Sequence, residues 1–502
     1  GGSIYITGLY TTDLKNRFFP GAGGQFQVEQ LVFASNLGNW LPAAGFFNDS
    51  RFGGDRNTAW VAAALTLVGY LGVWAWSAGV VEFAYWQVWA FWFIWGHGCG
   101  WLDNAAMSNV AQNFPQQRGR SVAVVKAFFG LSGSILTQIY NLLFYSQTSA
   151  YLLFLGVALS VLSTLIAPVL HAVPHFYHGE RDLPVKRLGR GLGVVLLLAL
   201  ALMAGSVARA MFGNSAVLDI SIAVATIACL GLMAQQLTTG AAVSASSPRA
   251  ADVLTPASRA VRSATAPDLA PRQALSSAGF WLLFVATFVG TGSGLVIMNH
   301  GGQMVSALGG SQHEISVLVS LLSVANCFGR VTYGVVPDAL SGVLGRAWFM
   351  ALNTGAMACA MLLIAVGSKP ALFAGASLGA FCYGGFWTLV PTLVIELFGL
   401  NAFATLYNCT SLAVSSASLV FSTLLASKLY DQQAALHPSA SGSCLGPTCY
   451  RATGVIIATS LVAGFAVCLL LACAARRPRA RAVADESAHP PAERGGALLS
   501  TQ

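Results

Sequence analysis

Apolar runs of about 20 residues recur through most of this 502-residue chain. Each is long enough to cross a hydrocarbon core about 30 Å thick at 1.5 Å rise per residue. In a bilayer every backbone polar group must be satisfied internally, which leaves only helices or a closed barrel. Barrel strands would read as alternating segments of about 10 residues, and these runs do not alternate. Composition agrees, with 55% hydrophobic and only 9% charged residues against roughly 25% charged in soluble domains. The chain reads as an all-α polytopic integral membrane protein.

Runs at about 1–11, 27–47, 58–79, 85–110, 120–145 and 150–171 give an N-terminal six-helix bundle over 1–171. Its first helix is truncated, since the chain opens on Gly1 with what reads as the second half of a helix. A basic cytoplasmic loop (172–191) precedes two further runs, at about 192–212 and 216–236, which form an inserted hairpin over 192–237. The Ala-, Ser- and Pro-rich stretch 238–277 has almost no large apolar residue and reads as a disordered cytoplasmic linker. Six more runs, at about 278–299, 314–336, 346–366, 371–396, 402–427 and 452–474, form a C-terminal bundle over 278–474. Residues 475–502 read as a disordered cytoplasmic tail, whose clustered arginines are a topological stop at anionic lipid. The total is about fourteen transmembrane helices.

With both termini cytoplasmic, this count puts nineteen of the 26 Lys and Arg residues on inner loops and tails, as the positive-inside rule requires. An odd helix number would invert half of them. The same dispersal argues against nucleic-acid binding despite a net charge of +8, because no basic stripe or arm forms. The membrane itself, plasma or organellar, is open. The outer loop holding Cys444 and Cys449 faces an oxidising side on this topology, which favours a disulfide over free thiols. No nucleotide loop, metal-spacing cluster or nucleophile elbow is present. The expectation is therefore no enzyme, no cofactor and no metal; the expected partners are a small-molecule substrate, the lipid bilayer and protons.

The halves echo each other. Gly45-Phe46-Phe47-Asn48-Asp49 matches Gly334-Val335-Val336-Pro337-Asp338, and Gly96-His97-Gly98-Cys99 matches Gly379-Ala380-Phe381-Cys382, at offsets of 289 and 283 residues. Two parallel six-helix repeats are the plan of a major facilitator transporter. Further motifs sharpen this: GWLDNAAMSNVAQNFPQQRGRSVAVVKAFFGLSGSILTQIY, FWLLFVATFVGTGSGLVIMNHGGQ, SLLSVANCFGRVTYGVVPDAL, GAFCYGGFWTLVPTLVIELFG and CLGPTCY. In that order they resemble the nodulin-like branch of the major facilitator superfamily, common in plants and algae, over nearly the whole chain. The resemblance implies two six-helix bundles and a central site reached alternately from each side, and leaves the substrate open. One departure is that Asp49 is followed by Ser50, with Arg51 and Gly53 displaced, where the superfamily signature usually has a basic residue directly after the aspartate.

Two charges stand out. Asp103 and Lys126 lie inside apolar runs on either side of a short turn, where an unpaired charge costs at least about 2.5 to 3.5 kcal/mol. Both are roughly 12 to 18 Å into adjacent antiparallel helices, so they can meet. A pair would offset the burial penalty yet break on protonation or on arrival of a substrate carboxylate. The competing reading has Lys126 snorkelling to the cytoplasmic face.

In the superfamily plan the first, fourth, seventh and tenth core helices line the cavity. Substrate or coupling candidates on the last three are His97, Trp101, Asp103 and Asn104; Asn299, His300 and Gln303; and Tyr383, Trp387, Thr388 and Thr392. His300 can relay protons or simply be solvated near the outer end; Tyr383 and Trp387 share a helix face and can equally serve as packing. Asp49, Arg51, Asp55, Arg56, Arg330, Asp338 and Glu396 fall at cytoplasmic helix ends, as gate ion pairs or as plain topological charges. The functional expectation is a secondary active transporter of a small polar solute, working by alternating access with proton coupling. The alternative is a non-transporting sensor or scaffold on the same fold.

Overall fold

The structure is a computed structural model. It describes residues 24–114, 118–144, 147–170, 183–212, 216–238, 269–341, 343–436 and 444–488, with scattered positions between 3 and 19. Every element among the described residues is helical, as internal satisfaction of the backbone demands. The first half comprises α1 (Gly24–Asn39), α2 (Ala43–Asn48), α3 (Asp55–Ser77), α4 (Tyr85–Asn113), α5 (Arg118–Leu143) and α6 (Thr148–Ile166). The inserted pair is α7 (Leu183–Phe212) and α8 (Ala216–Thr238). The second half comprises α9 (Pro271–Leu275), α10 (Ala278–Ala307), α11 (Gln312–Ala339), α12 (Arg346–Val366), α13 (Lys369–Phe398), α14 (Phe403–Ala417), a π-helical segment (Ser418–Ala426), α15 (Ser427–Leu436) and α16 (Thr448–Ala488).

Ten of the described helices are long and apolar enough to cross a membrane. The ten include neither α4, which is long enough but carries its polar residues inward, nor α1 and α8. The expected 27–47 helix is broken. Pro42 has no N–H to donate and its ring clashes with the preceding turn, so α1 stops at Asn39 and a separate turn of helix, α2, starts after Pro42.

Three other boundaries differ from the sequence reading. α7 begins at Leu183, so Lys186, Arg187 and Arg190 lie in its first turns and not in a loop. Residues 269–277, expected in the linker, are ordered: Leu269 donates its N–H to Phe398 O, and α9 follows. α16 continues as helix to Ala488, past the boundary at 475. The rest of the expected linker (239–268) and of the tail (489–502) lies outside the described residues, as does most of the 1–11 run, although Ile6, Tyr10 and Leu14 are buried.

Packing explains the glycines of the GHGCG stretch. α1 crosses α4 so closely that a Cβ at Gly96 would lie 2.1 Å from Ser35 O, and one at Gly100 2.1 Å from Asn39 O. Small residues four apart permit this approach. One apolar cluster joins Tyr10, Leu31, Tyr70, Trp92, Trp95 and Tyr151 in the first half, and a larger one fills the space between α10, α12, α13, α14 and α16. A third runs across the halves: Leu188, Leu192, Val195 and Leu202 of α7 pack on Ala123, Ala127 and Leu131 of α5 and on Val324 and Cys327 of α11.

Candidate functional site

α4 and α5 are antiparallel neighbours, and their register brings Asp103 and Lys126 together in the interior. Lys126 is 1% exposed and Asp103 6%. Lys126 Nζ donates to Asp103 Oδ1 at 2.7 Å and to Oδ2 at 2.8 Å. Its third proton goes to Tyr407 Oη at 2.8 Å, and that hydroxyl donates to Asp103 Oδ2 at 3.1 Å. An ammonium has three donors, and all three are used. The snorkelling alternative does not hold: a lysine reaching for the cytoplasmic face would not leave its ammonium buried on a carboxylate.

The pair is tied to the second half of the chain by more than Tyr407. Arg330, fully buried in α11, donates Nη1 to Lys126 O at 2.6 Å and Nε to Asn326 Oδ1 at 2.8 Å. Gly130, one turn along α5 from Lys126, leaves room for the guanidinium, since a Cβ there would sit 3.3 Å from Arg330 Nε. Lys126 Nζ also lies 5.3 Å from the ring centroids of Phe129, Trp387 and Tyr407, the distance range of cation–π attraction. Trp387 stacks on Trp40 at 4.6 Å, closing an aromatic contact between the halves. Its indole N–H is buried without an acceptor, both amide atoms of Asn39 are buried without partners, and Oδ1 of Asn104 is buried without a donor.

The remaining expected residues divide into groups. His97 donates from Nδ1 to Gly38 O at 2.7 Å, and its Nε2 accepts from Trp101 Nε1 at 2.9 Å. These contacts fix a neutral imidazole that pins α4 to α1, and none of its ring nitrogens binds the Asp103 pair. Asn104 reaches α14, donating to Ala404 O at 3.1 Å. Thr388 Oγ1 donates to Arg330 O at 3.0 Å, and Thr392 bonds back to its own helix. Tyr383 packs edge-on against Trp387. Asn299, His300 and Gln303 form a second cluster toward the C-terminal end of α10. There Asn299 donates to Ser422 Oγ at 3.0 Å, His300 Nε2 faces Ser422 O at 3.2 Å, and Tyr450 Oη donates to Gln303 Oε1 at 2.9 Å.

At the opposite end of the helices Asp49 Oδ2 accepts the N–H of Thr405 at 2.7 Å, and Asp338 Oδ2 accepts that of Arg120 at 3.2 Å. Arg346 bridges Asp338 and Glu396. Asp49 is an exposed residue whose carboxyl is partly desolvated against α14, which pushes it above the usual aspartate range, with the Thr405 N–H opposing. Asp55 accepts from Asn48 at 3.0 Å and Asn109 at 3.2 Å; Arg56 lies over the Trp60 ring, and Arg51 is exposed. A recess of about 300 Å³ opens beside Asp49, Asp55 and Arg56. Arg330 does not belong with these end charges, contrary to its placement from the sequence: it is part of the interior network. Sequence reasoning also passed over Tyr407, Trp40 and Asn326. Arg330 carried the same signal as Lys126, a charge inside an apolar run, whereas an aromatic such as Tyr407 gave none.

The loop leading into α16 contains a disulfide between Cys444 and Cys449. Within it Gly446 donates its N–H to Ala307 O at 2.7 Å, which anchors the loop to the end of α10.

A family model described as Nodulin-like matches residues 1–237, and one described as the NFD4 C-terminal domain matches 268–480. The chain is 24% identical to Protein NUCLEAR FUSION DEFECTIVE 4 of Arabidopsis thaliana over 90% of its own length and 83% of that protein. It is 28% identical to the Probable transporter MCH1 of Yarrowia lipolytica, over 30% of this chain and 32% of that one. Among solved structures, the proton:xylose symporter XylE superposes with a TM-score of 0.53 at 14% identity, covering 91% of both chains. The human organic anion transporter MFSD10 superposes with a TM-score of 0.50 at 14% identity, covering 93% of this chain and 89% of that one.

Proposed function

Because the chain belongs to the nodulin-like branch of the major facilitator superfamily, we propose that it is a secondary active transporter that moves a small polar solute by alternating access. In this reading fourteen helices form two six-helix bundles with α7 and α8 inserted between them, and both termini are cytoplasmic. The observation that carries it is the buried network in which α4 and α5 contribute Asp103 and Lys126 while α11 and α14 contribute Arg330 and Tyr407. Such a network has one arrangement when the halves are pressed together and must take another when they part, which is what a two-state transport element requires.

Proton coupling is assigned to Asp103. Protonation removes its attraction for Lys126 and loosens the hold of Tyr407, so the two halves can separate. In this reading Asp49, Asp338, Arg346 and Glu396 hold the cytoplasmic side closed until the halves part.

The test is counterflow by the purified protein in proteoliposomes across a panel of sugars, amino acids and organic acids. Uptake of one class that responds to an imposed pH gradient, and loses that response in Asp103→Asn, supports the reading. An uptake rate indifferent to the gradient in both proteins removes proton coupling. No counterflow of any solute, alongside a specific protein partner, would favour the scaffold role instead.

A further inference from the structure

The transport reading names a small polar solute, and the chemistry around Lys126 narrows it. We infer that the solute is a small monocarboxylate whose carboxylate takes the place of Asp103 on Lys126, while its apolar body lies between the aromatic faces of Trp40, Trp387, Phe129 and Tyr407. This rests on the transport reading and goes one step past it.

Three observations converge. First, Lys126 already holds a carboxylate, through both oxygens and with a phenol hydroxyl alongside. The site is shaped for that group. Second, three aromatic rings lie 5.3 Å from the ammonium alongside Asp103, a cage that would hold it charged and in place while one carboxylate is exchanged for another. Third, Trp387 buries an indole N–H that has no acceptor, a donor suited to a carboxylate oxygen. An orphaned buried donor costs free energy unless a ligand or water satisfies it.

The charge balance is simple. A proton adds to an Asp103 oxygen and neutralises it. The solute carboxylate then forms the ion pair with Lys126, whose own proton stays on Nζ. The buried charge is the same before and after, so no uncompensated ion is left in the interior. On the inner side the solute and the proton leave, and Asp103 recovers Lys126. The charged or titratable groups facing Asp103 are Lys126 from α5 and Tyr407 from α14, with Arg330 of α11 acting through the Lys126 carbonyl. A neutral polyol or amide offers nothing to replace Asp103 with.

Equilibrium binding to the purified full-length chain tests this, using radiolabelled monocarboxylates from propionate to phenylacetate, each paired with its neutral amide. The carboxylates are expected to bind, more tightly as pH falls, and the amides at least about tenfold more weakly. Asp103→Asn should remove the pH dependence. The double variant Asp103→Asn/Lys126→Gln keeps the interior neutral, so it should remain folded, and it should lose carboxylate binding. Equal binding of acids and amides, or unchanged binding in the folded double variant, overturns the inference. If counterflow finds a different solute class while no carboxylate binds, the inference fails and the transport reading stands. If no solute of any class is moved or bound, both fall.

Discussion

Asp49 and Asp338, 289 residues apart, make the same contact on opposite halves of the chain. Each carboxylate accepts the backbone N–H of the third residue of a helix in the other half, Thr405 in α14 and Arg120 in α5. α14 has no side-chain cap of its own at Ala402. The first four N–H groups of a helix lack intrahelical partners and carry the positive end of its dipole, so each aspartate acts as a borrowed cap that exists only while the halves touch at this end.

Removing a borrowed cap should therefore shift conformation more than it harms folding. Asp49→Ala and Asp338→Ala are each expected to cost the closed state about 1 kcal/mol, and together to raise labelling of cysteines placed at the N-terminal ends of α5 and α14. Labelling identical to the parent protein in the double variant would refute the cap.

Acidity should act on Asp49 in one direction. Partial desolvation against α14 raises its carboxyl above the ordinary aspartate value while the halves are closed; parting them returns it fully to water and to about 3.9. The closed state thus binds the proton more readily, and its advantage grows as pH falls through the raised value. Labelling at the same α5 and α14 ends should decrease over that range in the parent protein and lose this dependence in Asp49→Asn.

The buried pair should show strong non-additivity. Asp103→Asn or Lys126→Met alone strands one polar or charged partner and is expected to lose about 3 to 5 kcal/mol, whereas the double neutral variant should recover most of it. Thermal unfolding in detergent measures this. Additive losses would show that the two side chains are not coupled.

At Arg330 charge alone should not suffice. The guanidinium binds Asn326 and the Lys126 carbonyl from different nitrogens, and a lysine ammonium cannot span both. Arg330→Lys is expected to fold with a loss of about 1 to 3 kcal/mol and to transport poorly. Wild-type uptake in this variant would show that the fork geometry is unimportant.

Much of this architecture could be read from the residues because membrane helices declare themselves by length and apolarity, and because a lone charge in such a run demands an explanation. That logic found Asp103 with Lys126, and it found Asp49 and Asp338 through the repeat. It misplaced Arg330 because counting charges toward topology assigned that arginine to a helix end. It missed Tyr407 and Trp40 because an aromatic in an apolar run is unremarkable until its partner, some 300 residues away, is in view. The break at Pro42 was there to be seen; the hydropathy of its neighbours hid it.

α7 lies along α5 and α11, the helices that hold Lys126 and Arg330, and it touches both through aliphatic side chains. It therefore works like a door's hinge plate screwed to both frame and leaf. If the halves rock, this flank is expected to part less widely than the one where Asp49 meets α14. On the alternating-access reading, anything that stiffens the insert is expected to slow the exchange without touching the solute.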